Sequence, residues 1–274
     1  MQRFVIASGL SLMLCAAQAG GAAFVKLPGG DFESVLKYED SGSRVRVATF
    51  ALMSVPVTNA DFLAFVRAQP KWRRDAVAGG VFAEQRYLSH WKSATELGPS
   101  ALPQQPVVWV SWFAASAYCK AQGAHLPTWT QWEYAAAADE QRKDARADPA
   151  WRERILAWYA QPSKRALATV GTQRPNAYGA RDLHGLVWEW TDDFSALLVS
   201  ADNRDQGDPD RLKFCGAGAL SVADRENYAV LMRVAMLSSL DGADATANLG
   251  FRCAHTRIAP CAGLSAPWPC SPLP

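Results

Sequence analysis

The chain has 274 residues, of which 49% are hydrophobic and 20% charged, with a formal net charge of +2. That is enough chain to bury a substantial core in one globular domain, and the composition excludes intrinsic disorder. Acids and bases are interleaved, so there is no basic stripe of the kind that neutralises phosphates, and nucleic acid is not expected as a partner.

The chain opens with Arg3, an apolar run from Phe4 to about Ala16, and Ala17 and Ala19 flanking Gln18. This is the layout of a secretory signal, with cleavage expected after Ala19 and a periplasmic or secreted product. Cys15 is preceded by Leu14, a larger residue than a lipidation signal normally accepts. No later segment reaches about 18 uninterrupted apolar residues, so no membrane span is expected. After cleavage the cysteines are Cys119, Cys215, Cys253, Cys261 and Cys270. In an oxidising compartment disulfides persist, and an odd number leaves one thiol over unless it pairs between chains. There is no C-x-x-C pair, and His90, His125, His184 and His255 stand singly, which does not support a zinc site or a three-histidine centre.

Four helices carry start signals. In VTNADFLAFV, Thr58 or Asn59 caps a helix with Phe62, Phe65 and Val66 on one face. QPVVWVSW reads as a short strand. In SWFAASAYCKAQG, Ser111 caps a helix that ends at Gly123 and turns Trp112, Ala115 and Cys119 inward. In LPTWTQWEYAAAA, Thr128 and Gln131 have capping-box spacing. In DPAWRERILAWYA, Asp148 is the cap and Pro149 the first helical residue, with Trp151, Ile155, Trp158 and Tyr159 on one face. Irregular Gly-, Pro- and Asn-rich segments lie between, so the expectation is a single loop-rich α+β domain over 24–255. A Pro- and Ala-rich tail over 256–274 follows, which Cys261 and Cys270 can close into a small loop.

Five stretches in order, VPVTNADFLAFV, PVVWVSWFAASAYCKAQGAHLPTWTQWEYAA, VGTQRPNAYGARDLHGLVWEWTDDF, MRVAMLSS and ANLGFRCA, resemble the formylglycine-generating enzyme (sulfatase-modifying factor) family. The resemblance implies a fold poor in regular secondary structure, related to C-type lectins and often stabilised by calcium. It implies a disulfide between Cys119 and Cys253. It also implies a calcium site in DLHGLVWE, with carboxylates from Asp182 and Glu189 and backbone carbonyls from Gly185 and Val187, a mixture of oxygens suited to a hard cation. A second family calcium site is not expected, because RKDARADPAWRERILAWYAQPSKRAL replaces its segment. His184, inside the turn, reads as a packing or hydrogen-bonding residue, and His90 is a candidate to face the cleft.

Members that oxidise a substrate cysteine hold copper(I) between two cysteines about five residues apart, and two soft thiolates suit that ion. Here the matching stretch, GALSVADRENYAVLM, contains no cysteine, and the preceding element has become CGAG, leaving Cys215 alone. Copper at the family oxidase site is therefore not expected, nor is formylglycine-generating activity. HGLVWEWTDDF, FCGAGA and ANLGFRCA resemble an exported branch that includes nitrite reductase accessory proteins of the NirV type. That likeness implies an accessory or maturation factor with a protein partner, such as a copper nitrite reductase. Two alternatives stand beside it: an enzyme using the Cys215 thiol, and a recognition module whose tryptophans line a groove, with Trp151 and Trp158 the best-placed interface residues.

Overall fold

The computed structural model describes residues 23–38, 42–161, 166–197 and 228–256. The leader, Cys215 with its surrounding glycines, and the tail cysteines Cys261 and Cys270 lie outside the described residues.

The first half of the sheet structure comes from a segment without strong periodicity. Strands β1 (Phe24–Leu27) and β4 (Phe50–Met53) pair antiparallel, with Phe24 opposite Met53 and Leu27 opposite Phe50. Between them β2 (Gly30–Tyr38) and β3 (Gly42–Val47) form a separate antiparallel pair, with a register irregularity between Glu33 and Tyr38. The far end of the chain returns to the first sheet: β7 (Ala254–His255) adds to β4, giving the order β1-β4-β7.

The four helices start where their caps place them. Helix α1 (Asn59–Ala68) has a reciprocal capping box between Thr58 and Asp61. In α2 (Trp112–Ala121) Ser111 accepts from the backbone of Ala114, and in α3 (Trp129–Ala136) Thr128 and Gln131 form a second box. Asp148 caps α4 (Pro149–Tyr159), with Pro149 as its first residue. Each cap satisfies backbone N–H groups that the first turn leaves without partners. A fifth helix, α5 (Tyr228–Ser238), carries the MRVAMLSS stretch.

QPVVWVSW is not a strand. Val107 donates its N–H to Val57 while Trp109 donates to Thr246, so successive residues bond to two different neighbours. Trp109 itself has φ of 54°, in the left-handed region, which breaks an extended run.

The main core holds Phe62 of α1, Tyr118 of α2 and Phe251, with ring centroids 5.4–5.9 Å apart. Cys119 and Cys253, both fully buried, are joined by a disulfide that ties α2 to the segment just before β7. Helix α3 is fastened to β2 through Glu133, whose carboxylate accepts from Ser34 Oγ at 2.6 Å, the Val35 N–H at 2.8 Å and Trp129 Nε1 at 2.9 Å. Burial pushes the Glu133 carboxyl up to about 6, against the opposing pull of those donors. Helix α4 sits on α5 through a second, smaller apolar cluster of Ala145, Trp151, Ile155 and Ala229. Trp151 is therefore interior rather than a free interface residue: it is 6% exposed and stands edge-on to the His184 ring at 5.6 Å.

His90 lines neither of the cavities described below. Both of its ring nitrogens are buried without a partner, and burial, reinforced by the charge of Arg74, lowers its pKa from 6.5 to about 4. Unfolded, the ring takes up a proton below about 6.5, whereas the folded ring resists until about 4, so acid favours unfolding. The His90 contribution is expected to be level above about pH 6.5 and to fall by up to about 3 kcal/mol between there and about pH 4, with His184 acting in the same direction and Glu133 in the opposite one. Urea midpoints measured across that range check this, and His90→Leu should reduce the slope.

Candidate functional site: the cleft between α4 and the 182–189 turn

The turn that joins the long loop to β5 (Trp188–Glu189) is built by unusual backbone. Asp182 has φ of 59° and is buried, and its carboxylate accepts the Gly171 N–H at 2.5 Å. Gly185 has φ of 97°, and a Cβ there would lie 2.6 Å from Gln173 Nε2, which donates to the His184 carbonyl at 2.8 Å. The positive φ is what favours glycine, since the Gln173 amide at the end of a flexible side chain could move aside. The His184 Nε2 is 2.9 Å from the Ala136 carbonyl, so that nitrogen carries the proton and donates, while the ring lies edge-on to Trp132 and Trp151. Burial lowers the His184 pKa to about 4 and keeps the ring neutral. The residue packs and hydrogen-bonds, as its place in the sequence suggested.

Strand β5 pairs in parallel with β6 (Leu249–Gly250), which sets Glu189 beside the chain end that carries Arg252. Gly250 is required by crowding, since a Cβ would meet the Val107 carbonyl oxygen at 2.6 Å. Glu189 and Arg252 are both 0% exposed. Arg252 grips the carboxylate with Nε on Oε2 and Nη2 on Oε1, both at 2.8 Å, and Trp132 Nε1 donates to Oε2 at 3.0 Å. The rest of the Arg252 guanidinium reaches the carbonyls of Met53 at 3.0 Å and Arg181 at 2.9 Å.

This geometry bears directly on calcium. A calcium ion takes roughly six to eight oxygens, with carboxylates supplying the charge. Of Asp182, Gly185, Val187 and Glu189, one of the two carboxylates is already closed by a guanidinium and an indole. As arranged, the four residues do not fit calcium. Among the described residues no group of three or more His, Cys, Asp or Glu is placed to hold a metal ion.

A second arginine was not singled out by the sequence. Arg233 of α5 is 0% exposed, lies 3.6 Å above the centre of the Trp132 ring and donates Nη2 to the Glu189 carbonyl at 2.8 Å. Burial lowers its pKa to about 10, opposed by the attraction of Glu189, so it remains charged at neutral pH. In LMRVAM an arginine among apolar residues was the available signal.

Two adjoining cavities open between α4 and the turn and share Trp158, Gln161 and Gly185. The first, about 240 Å³, has Trp158, Tyr159, Leu186, Trp188 and Asn248 in its walls. The second, about 450 Å³, is more polar and includes Asp139, Arg154, Asp182 and His184. In the first, the rings of Trp158, Tyr159 and Trp188 pack on one another as part of the wall, with centroids 4.6–5.9 Å apart. Trp158, from the helix that departs from the expected loop, is thus a cleft residue. Tyr159 comes with it on the same helix, whereas Asn248 joins it only through the fold.

The family profile described as the sulfatase-modifying factor enzyme 1-like domain matches residues 12–257. The formylglycine-generating enzyme of Streptomyces coelicolor is 30% identical, over 84% of this chain and 88% of its own. The inactive C-alpha-formylglycine-generating enzyme 2 of Mus musculus is also 30% identical, over 85% and 86%. Among solved structures, PvdO from Pseudomonas aeruginosa aligns with a TM-score of 0.45 at 18% identity, over 85% of this chain and 93% of its own. With a family profile spanning nearly all of it and a relative 30% identical over most of both chains, this chain belongs to the sulfatase-modifying factor enzyme 1-like domain family.

Proposed function

We propose that this chain is an exported accessory factor of its family that recognises a client protein and does not oxidise cysteine, the client being a copper nitrite reductase. One observation carries the reading: from Gly218 to Met232, where the oxidases hold a pair of copper-binding cysteines, this sequence has none. A single upstream thiol at Cys215 cannot supply two soft ligands to copper(I). By their names, relatives of equal identity include both a generating enzyme and an inactive one, so overall similarity favours neither activity, and the missing ligands support the non-oxidising reading. The secretory layout of the first 19 residues supports a periplasmic site of action, where copper nitrite reductases would be met. The aromatic cleft supports recognition, since rigid rings offer large contact area at low entropic cost.

Deletion of the gene in a denitrifying host tests the partner. Copper content and specific activity of the nitrite reductase are expected to fall together and to recover on complementation. Unchanged copper loading would sink the assignment of that client.

A further inference from the structure

Arg233 has more charge and more hydrogen-bonding capacity than its surroundings use. Among the described residues its Nε and Nη1 are buried with no acceptor in full hydrogen-bond geometry, and the Tyr159 phenol is the side chain that interacts with the guanidinium there. Among the described residues the carboxylate that acts on it, Glu189, is committed to Arg252 through both oxygens. The neighbouring Tyr159 cannot act as a counter-ion, because burial pushes its phenol up to about 12 and it stays protonated. A desolvated ion without a paired partner costs several kcal/mol, and orphaned N–H groups add to that. The rings that surround this guanidinium also form the cavity walls: Trp188 lies 5.9 Å from it and the Tyr159 side chain covers it.

We infer that the cavity walled by Trp158, Tyr159 and Trp188 is a carboxylate-binding site anchored by Arg233, which the ligand reaches when the Tyr159 side chain swings aside. The planar fork of a guanidinium matches a carboxylate in a bidentate pair, and Nε with Nη1 is a suitable edge. The volume of about 240 Å³ is below the roughly 300–1,000 Å³ of pockets for drug-sized ligands, which limits the occupant to a carboxylate on a short stem. That describes an acidic side chain, a chain terminus or a small free acid. Among the described residues the walls are largely apolar, with Asn248 and Gln161 as polar members, and none of them offers a phosphate dianion a second cation. The inference rests on the cleft being a ligand site and not on the identity of any client. Gene deletion and ligand titration can therefore fail separately.

The experiment is a titration of the full mature chain followed by tryptophan fluorescence, since Trp132 and Trp188 flank the cation. The probes are acetate, acetamide, inorganic phosphate, and a short peptide as its free acid, as its C-terminal amide and with an internal glutamate. Acetate and at least one peptide carboxylate are expected to give saturable changes that acetamide does not. Preference for the free-acid peptide over its amide identifies a chain terminus, preference for internal glutamate a side chain, and binding of acetate alone a small free acid. Arg233→Met should weaken binding at least about tenfold, Arg233→Lys less, and Tyr159→Ala should strengthen it by removing the cover. Equal responses to acetate and acetamide overturn the inference, as does equal or tighter binding of phosphate. Undiminished binding by Arg233→Met with a native circular dichroism spectrum does the same. Should Arg233→Met fail to fold, the comparison of acetate with acetamide on the wild type and on Tyr159→Ala decides.

Discussion

Arg252→Leu is expected to destabilise the protein by about 3–5 kcal/mol, because it leaves the Glu189 carboxylate buried without its cation. It also strips the carbonyls of Met53 and Arg181 of their donors. For a domain of this size about 1 kcal/mol corresponds to roughly 2–4 °C in the melting temperature, so a fall on the order of 10 °C should be seen by calorimetry. Glu189→Gln keeps the shape of the side chain but removes its charge, and should cost a similar amount by stranding Arg252. The double variant should cost less than the two single losses added together, with a coupling energy of about 2–3 kcal/mol for residues in direct contact. A single variant that melts within a degree of the parent would show that this pair does not hold the two chain segments together. The consequence reaches the cleft, because Trp132 donates to Glu189 on one side and carries Arg233 on its face. Loosening the pair should therefore weaken carboxylate binding as well as the fold.

The sequence revealed local features more readily than long-range ones. The four helices with caps were legible because a cap is a short-range bond: Thr58 with Asp61 and Thr128 with Gln131 are each three residues apart. The strands were not. β5, β6 and β7 are two residues long, and such a strand exists through the bonds its neighbour offers rather than through its own propensity. QPVVWVSW has the composition of a strand and fails as one because Trp109 takes a left-handed turn between two different partners. The site divides in the same way. Asp182, Gly185, Val187 and Glu189 stood out through the family resemblance. What Glu189 does was decided by Arg252, 63 positions later, and Arg233 lies buried against the ring of Trp132, about a hundred residues earlier. Trp151 and Trp158 lie on one helix with similar sequence signals, yet Trp151 packs into the small apolar cluster and reaches only the second cavity, whereas Trp158 lines both.

Replacing Cys119 and Cys253 together by alanine is expected to cost about 5 kcal/mol. The two residues are 134 positions apart, and in the chain-entropy treatment a cross-link closing a loop of that length removes about that much free energy of disorder from the unfolded state. Total stabilities of about 5–15 kcal/mol are usual, so the loss is a large share of the whole. Both sulfurs are fully buried, so reductant should act slowly on the native protein and at a rate set by opening of the fold, but rapidly on the unfolded chain. The check is a pair of urea titrations, one with the disulfide intact and one after reduction under denaturing conditions and refolding in reductant. The midpoint should fall markedly on reduction, with the double alanine variant matching the reduced protein. An unchanged midpoint would mean that packing of α2 against the Phe251 segment suffices without the bond. If the shift is as large as expected, chain folded in a reducing compartment should be markedly less stable than chain folded in an oxidising one. Comparing the yield of folded protein from the two compartments then joins the stability argument to the proposed site of action.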